Sequence, residues 1–108
     1  MNISTRKKGN HLIVALAGEL NLYNVGEVKN QITTTIGSDT SSLVMDFKDL
    51  KYIDSSGIGL MAQLKKKYSA GSGKFALMGV SKEVMDVLRI TALDSFFTFI
   101  SSEDKLEG

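Results

Sequence analysis

The chain has 108 residues, 43% of them apolar, and its 13 Lys and Arg against 12 Asp and Glu leave a formal charge of +1. This is the composition of one globular domain over residues 1–108, too short for a dinucleotide domain plus a substrate domain and without the basic excess of a nucleic-acid binder. With no Cys and a single His, His11, disulfides, zinc ribbons and thiol catalysis are excluded, and neither a metal nor a cofactor is expected.

Ile3–Lys7 and His11–Ala17 are β-compatible runs on either side of Lys8-Gly9-Asn10, so the chain is expected to open on an antiparallel hairpin. Arg6, Lys7 and Lys8 before the apolar Leu12–Ala17 superficially resemble a signal peptide, but the run is shorter than an apolar region of about 7–15 residues plus a cleavage site. No stretch approaches the ~20 apolar residues of a membrane span, and the expected location is cytoplasmic. Asn24 is placed to cap a helix carried by Val25, Val28, Ile32 and Ile36 and stopped at Gly37, with Glu27 completing a capping box. Leu43–Phe47 reads as a strand. Ile58, Met61, Leu64 and Tyr68 mark a second helix that closes on Lys65, Lys66 and Lys67 before Gly71. Those lysines read as cations complementing a helix C-terminus rather than as a patch for an acidic partner. Phe75–Met78 is the next strand, Ser81 caps a third helix through Leu88, and Phe96–Ile100 reads as a last strand. Ser101 or Ser102 is expected to start a short terminal helix that frays before Gly108. Met45, Met61 and Met78 read as core filler. Strands alternating with helices after the hairpin predict an α/β fold with a mixed, largely parallel sheet and about four helices.

Core formation explains most of these residues, but not Tyr52-Ile53-Asp54-Ser55-Ser56-Gly57-Ile58-Gly59-Leu60. The segment opens the second helix, where free N–H groups and the positive end of the macrodipole favour an anion. Gly57 and Gly59 each cost about 1 kcal/mol against Ala in a helix, which suggests close approach to the backbone. The plainest account makes Ser55 or Ser56 the N-cap, with the glycines serving helix–sheet packing; the other serine is then left exposed where a phosphoryl group is welcome. Three sharper patterns fit only in part. Gly57, Gly59 and Ala62 match a dinucleotide G-x-G-x-x-A, but the acidic residue about 20 positions on is missing. Ser55 with Gly57 half-matches a hydrolase elbow whose only available base is His11. Asp46, Asp49 and Asp54 supply acids for a receiver-like phosphoacceptor without the acidic pair such a site needs, and read as loop residues.

At this segment the chain resembles the bacterial anti-sigma factor antagonists of the STAS domain family. The matching stretches are Gly18-Glu19-Leu20, Val44-Met45-Asp46-Phe47, Ile53 through Leu60, and Leu88-Arg89-Ile90-Thr91-Ala92-Leu93. The resemblance implies that Ser56, with Ser55 as second choice, is phosphorylated by an anti-sigma factor that is itself a serine kinase, and that a serine phosphatase reverses this. It implies a substrate and switch rather than an enzyme: the unphosphorylated form captures the anti-sigma factor and frees a sigma factor. The partner surface it implies is Asn21, Leu22, Tyr23 and Asn24 together with Asp54, Ser55, Gly57, Ile58, Gly59 and Leu60. No cofactor, direct nucleic-acid contact or membrane span is implied. The chain departs from the family pattern at Asn21, where Asp is usual, and at Ala92, where Gly is common and where an αL cap would be strained. A phosphate at Ser56 is expected to abolish docking by forcing a partner groove fitted to a hydroxyl, Ile58 and Leu60 to desolvate a doubly charged group beside Asp54. The alternatives are a STAS subunit of another signalling or lipid-transport assembly and, in a different class, a small nucleotide-binding protein.

Overall fold

The computed structural model describes residues 1–37, 40, 42–68 and 74–106. The opening hairpin pairs β1 (Asn2–Lys8) with β2 (His11–Leu20) from Asn2↔Ala17 to Lys8↔His11. Gly9 takes φ +58° at the first position of its two-residue turn, as the twist of such hairpins demands. Next come α1 (Val25–Thr35), β3 (Ser42–Asp46), β4 (Leu50–Ile53), α2 (Ser55–Tyr68), β5 (Lys74–Met78), α3 (Lys82–Ile90) and β6 (Phe99–Ile100). The sheet runs β1-β2-β3-β5-β6, antiparallel only at the hairpin, and β4 lies parallel to the far end of β2. It is the mixed, mostly parallel α/β sheet that the alternating elements predict.

The alternation of side chains along each strand divides the apolar residues between two faces. Leu12, Val14, Leu16, Leu43, Met45, Phe75 and Leu77 join Val28, Ile32, Met61, Leu64, Val84 and Leu88 of the three helices in one core. Ile13, Val44 and Met78 point the other way, where Ile100 and Leu106 pack on them. All three methionines expected inside are buried. Lys65, in the last turn of α2, donates to the Phe96 carbonyl oxygen and lies 4.2 Å from the Phe96 ring centroid.

The structure corrects several sequence expectations. There are three α-helices among the described residues rather than four; the expected terminal helix is one 3₁₀ turn, Glu103–Lys105. The last strand is only Phe99–Ile100, because Phe97 leaves the sheet to enter the core. Strand β4 has no sequence counterpart, since Leu50 and Ile53 are buried while Lys51 and Tyr52 between them are exposed, a pattern without period two. Strand β2 runs three residues past its expected end because Gly18, at φ +109°, forms a bulge there and donates its N–H to the Asp49 carbonyl oxygen at 3.1 Å. Ser81 caps α3 as expected, accepting from the Val84 N–H at 3.2 Å. Gly71 and Gly108, the expected stops of two helices, lie outside the described residues.

Candidate functional site

Beyond the bulge, β2 and β4 end side by side with Leu20 opposite Ile53. The chain therefore leaves the sheet twice at one place, through residues 21–24 into α1 and through Asp54 into α2. Asp54 ties the two exits together. Its backbone N–H donates to the Leu20 carbonyl oxygen at 3.1 Å, its Oδ1 accepts from the Gly57 N–H at 3.0 Å, and its Oδ2 accepts from the Leu22 N–H at 3.1 Å. The first of the two carboxylate bonds is an N-cap bond, so the cap expected at Ser55 or Ser56 belongs to Asp54, and both serines stand in the first turn of α2. Ser55 is exposed and Ser56 half-buried.

The loop before α1 is also held by amide side chains. Asn21 Oδ1 accepts from the Tyr23 N–H and Asn24 Oδ1 from the Asn21 N–H, both at 2.9 Å, while Asn24 Nδ2 donates to the Glu19 carbonyl oxygen at 2.8 Å. Asn24 thus spends its side chain on the loop and makes no cap bond, so the capping box with Glu27 does not form. What this rigid loop presents is apolar: Leu22 is 67% and Tyr23 95% exposed.

Ile58 and Leu60, expected to face a partner, are core residues at 6% and 3% exposure, and the exposed large apolar side chains at this edge are Leu22 and Tyr23 instead. The two glycines differ. A Cβ on Gly57 would lie 2.7 Å from Ile53 Cγ1 and 2.8 Å from Leu20 Cγ, whereas one on Gly59, which is exposed, would meet nothing within 4 Å. Only Gly57 is explained by helix–sheet packing. Between α1 and α2 runs an open groove of about 190 Å³ lined by Val25, Gly26, Lys29, Ser56, Leu60 and Gln63.

Other candidate residues are placed apart. His11 is half-buried, its Nδ1 hydrogen-bonded with Ser42 Oγ, at the start of β2. Ser55 follows the opposite end of the sheet, about 30 Å away along a ten-residue strand, so His11 cannot serve as a base for Ser55. Asp46 is buried rather than a solvated loop acid, accepting from the Lys48 N–H at 3.0 Å. No cluster of metal-ligating side chains occurs among the described residues, and none of their helices is long and apolar enough to cross a membrane.

The chain is 27% identical over 93 residues to the anti-sigma-B factor antagonist of Staphylococcus aureus strain NCTC 8325, spanning 86% of each protein. Its fold is similar to that of an anti-sigma factor antagonist from Mycobacterium paratuberculosis, with TM-score 0.84 at 16% identity over 96% of this chain and 88% of that one. It is also similar to the Bacillus cell fate determinant SpoIIAA in its phosphorylated form, with TM-score 0.72 at 22% identity over 96% of both chains. The STAS domain model matches residues 2–106, nearly all of the sheet, the helices and the Asp54-bridged edge described above, and the chain therefore belongs to the STAS domain family.

Proposed function

We propose that the chain is an anti-sigma factor antagonist whose docking surface is the edge joined by Asp54 and whose switch is phosphorylation of Ser56. The observation that carries this reading is the cap: because Asp54 supplies the acceptor for α2, neither serine hydroxyl is needed for it. Ser56 then stands at a helix start beside a rigid apolar loop with no structural duty at the cap.

A serine kinase, the anti-sigma factor itself, transfers the terminal phosphoryl group of ATP to Ser56 Oγ. The O–P bond forms as the bond to the departing ADP breaks, and the hydroxyl proton passes to a base of the kinase. A serine phosphatase returns the phosphoryl group to water. The modification adds about −1.5 to −2 charge at neutral pH, against a formal +1 for the whole chain. The first turn of α2 tolerates that charge, because it sits at the positive end of the helix. The partner does not: Leu22 and Tyr23 dock by desolvating this edge, and a doubly charged group that must be desolvated with it opposes docking. A 1,000-fold loss of affinity needs only about 4 kcal/mol. Gly59, bare and facing open space, lets a partner backbone come close to α2.

The test is binding of the unmodified, Ser56→Ala and Ser56→Asp forms to the anti-sigma factor. Ser56→Ala is expected to bind like the unmodified chain and Ser56→Asp at least tenfold more weakly; equal affinities would sink the reading. Intact-mass analysis after incubation with that kinase and ATP is expected to show one added phosphoryl group, absent from Ser56→Ala.

A further inference from the structure

We propose that the groove between α1 and α2 seats the phosphoryl group on Ser56, and that Lys29 positions it there. The inference rests on phosphorylation of Ser56 and adds where the phosphate goes.

The two serines are not equivalent. Ser55 is exposed, whereas Ser56 is half-buried and lines the groove. On α2 the lining is Ser56, Leu60 and Gln63, and on α1 it is Val25, Gly26 and Lys29; both sets have the spacing of a single helix face. Lys29 is the cation of that lining, and among the described residues it takes part in none of the ion pairs, which join Arg6 to Asp46 and Glu103 and Arg89 to Asp86. Gly26 keeps the α1 wall open, since no atom lies within 4 Å of where its Cβ would be. About 190 Å³ holds roughly six waters at about 30 Å³ each, so a phosphoryl group enters without displacing a side chain. Val25 and Leu60 make part of the lining apolar, which strengthens attraction between phosphate and ammonium relative to a fully solvated pair. The acids adjoining this region in sequence are Asp54, whose oxygens accept from Gly57 and Leu22, and Glu27, which is exposed and does not line the groove. A phosphate turned inward meets Lys29, occupies the Ser56 end of the groove and denies both to a partner.

The test uses the full chain with phosphoserine incorporated during translation at position 56 or, separately, at 55, so that no kinase is required. Failure of the cognate kinase to modify Ser56 would overturn the parent reading, and it is read separately from the titration, which tests only where the phosphate sits. The second phosphate ionisation is followed by ³¹P NMR. Lys29→Gln is expected to raise it by about 0.5 unit at position 56, in line with loss of an exposed cation, and Lys29→Arg to restore it. At position 55 no dependence on Lys29 is expected. An identical titration in the Lys29→Gln and unsubstituted chains overturns the proposal, as does an equal Lys29 effect at position 55 or failure of Lys29→Arg to restore the value.

Discussion

Asp54 shows how one side chain can organise a functional edge. One carboxylate oxygen caps α2 and the other holds the Leu22 N–H of a loop 32 residues earlier. Asp54→Asn turns one acceptor oxygen into a donor, so one of the two bonds is lost whichever way the amide lies, and Asp54→Ala loses both. Expected losses in urea unfolding are about 1 and about 2 kcal/mol respectively; equal losses would show that the bond the amide oxygen retains contributes nothing. Hydrogen exchange at Leu22 is expected to quicken in Asp54→Ala. The importance of the Asp-Ser-Ser-Gly block was legible in the sequence, but its division of labour was not. Ser, Asp and Asn rank nearly alike as caps, and a long-range acceptor such as that for Leu22 leaves no local signal. Asn21 has the same lesson: its amide accepts from the Tyr23 N–H, so the departure from the family Asp leaves an acceptor at the turn while removing a charge.

Two glycines in α2 and an alanine just past the end of α3 have effects that depend on their surroundings. Gly57→Ala drives a methyl to within 3 Å of Leu20 and Ile53, both buried, and is expected to cost about 1–3 kcal/mol by overpacking. Gly59→Ala meets nothing and is expected to stabilise by about 0.5–1 kcal/mol through helix propensity. Thermal melts of the two variants, moving in opposite directions, check this. At the end of α3 the Ala92 N–H donates to the Arg89 carbonyl oxygen at 3.0 Å and the Leu93 N–H to that of Leu88 at 2.8 Å, the paired bonds of a Schellman cap. Its left-handed position is filled by Ala92 at φ +59°, the strained alanine that the sequence predicted. Ala92→Gly is expected to raise stability by about 0.5–1 kcal/mol, the relief of the αL penalty less the entropy glycine loses on folding. Periodic elements were legible because burial on one face imposes a repeat. Strand β4 was not, since four residues with exposed Lys51 and Tyr52 are too short to have one; the terminal turn was placed at its Ser102 start but is a single 3₁₀ turn rather than a fourth α-helix.

Across the whole molecule the helices pack with one face of the sheet, and on the other the C-terminal segment lays Leu106 and Ile100 against Ile13, Val44 and Met78. That strap is fastened by charge at Glu103. Arg6 donates to its carboxylate, from Nε at 3.1 Å and from the terminal guanidinium nitrogen, and Lys8 Nζ donates to its backbone carbonyl oxygen at 3.0 Å. The Arg6 hydrogen bond holds the Glu103 carboxyl below the usual glutamate range, helped by the charges of Arg6 and Lys8. A carboxylate whose value is lower when docked than when free favours the docked strap above the free value, about 4.3, and loses that contribution as pH falls through the lower docked value. The strap is therefore expected to be secure at neutral pH and to loosen below about pH 4. The Leu106 methyl resonances, followed from neutral to acid pH, are expected to move toward free values over that window. High salt should act in the same direction at neutral pH, because the pair is partly exposed and 1 M salt shortens the screening length to about 3 Å. Glu103→Gln is expected to abolish this acid step, since it removes the carboxylate that Arg6 holds. If the step persists unchanged in Glu103→Gln, the strap is held by the packing of Leu106 and not by the charge of Glu103.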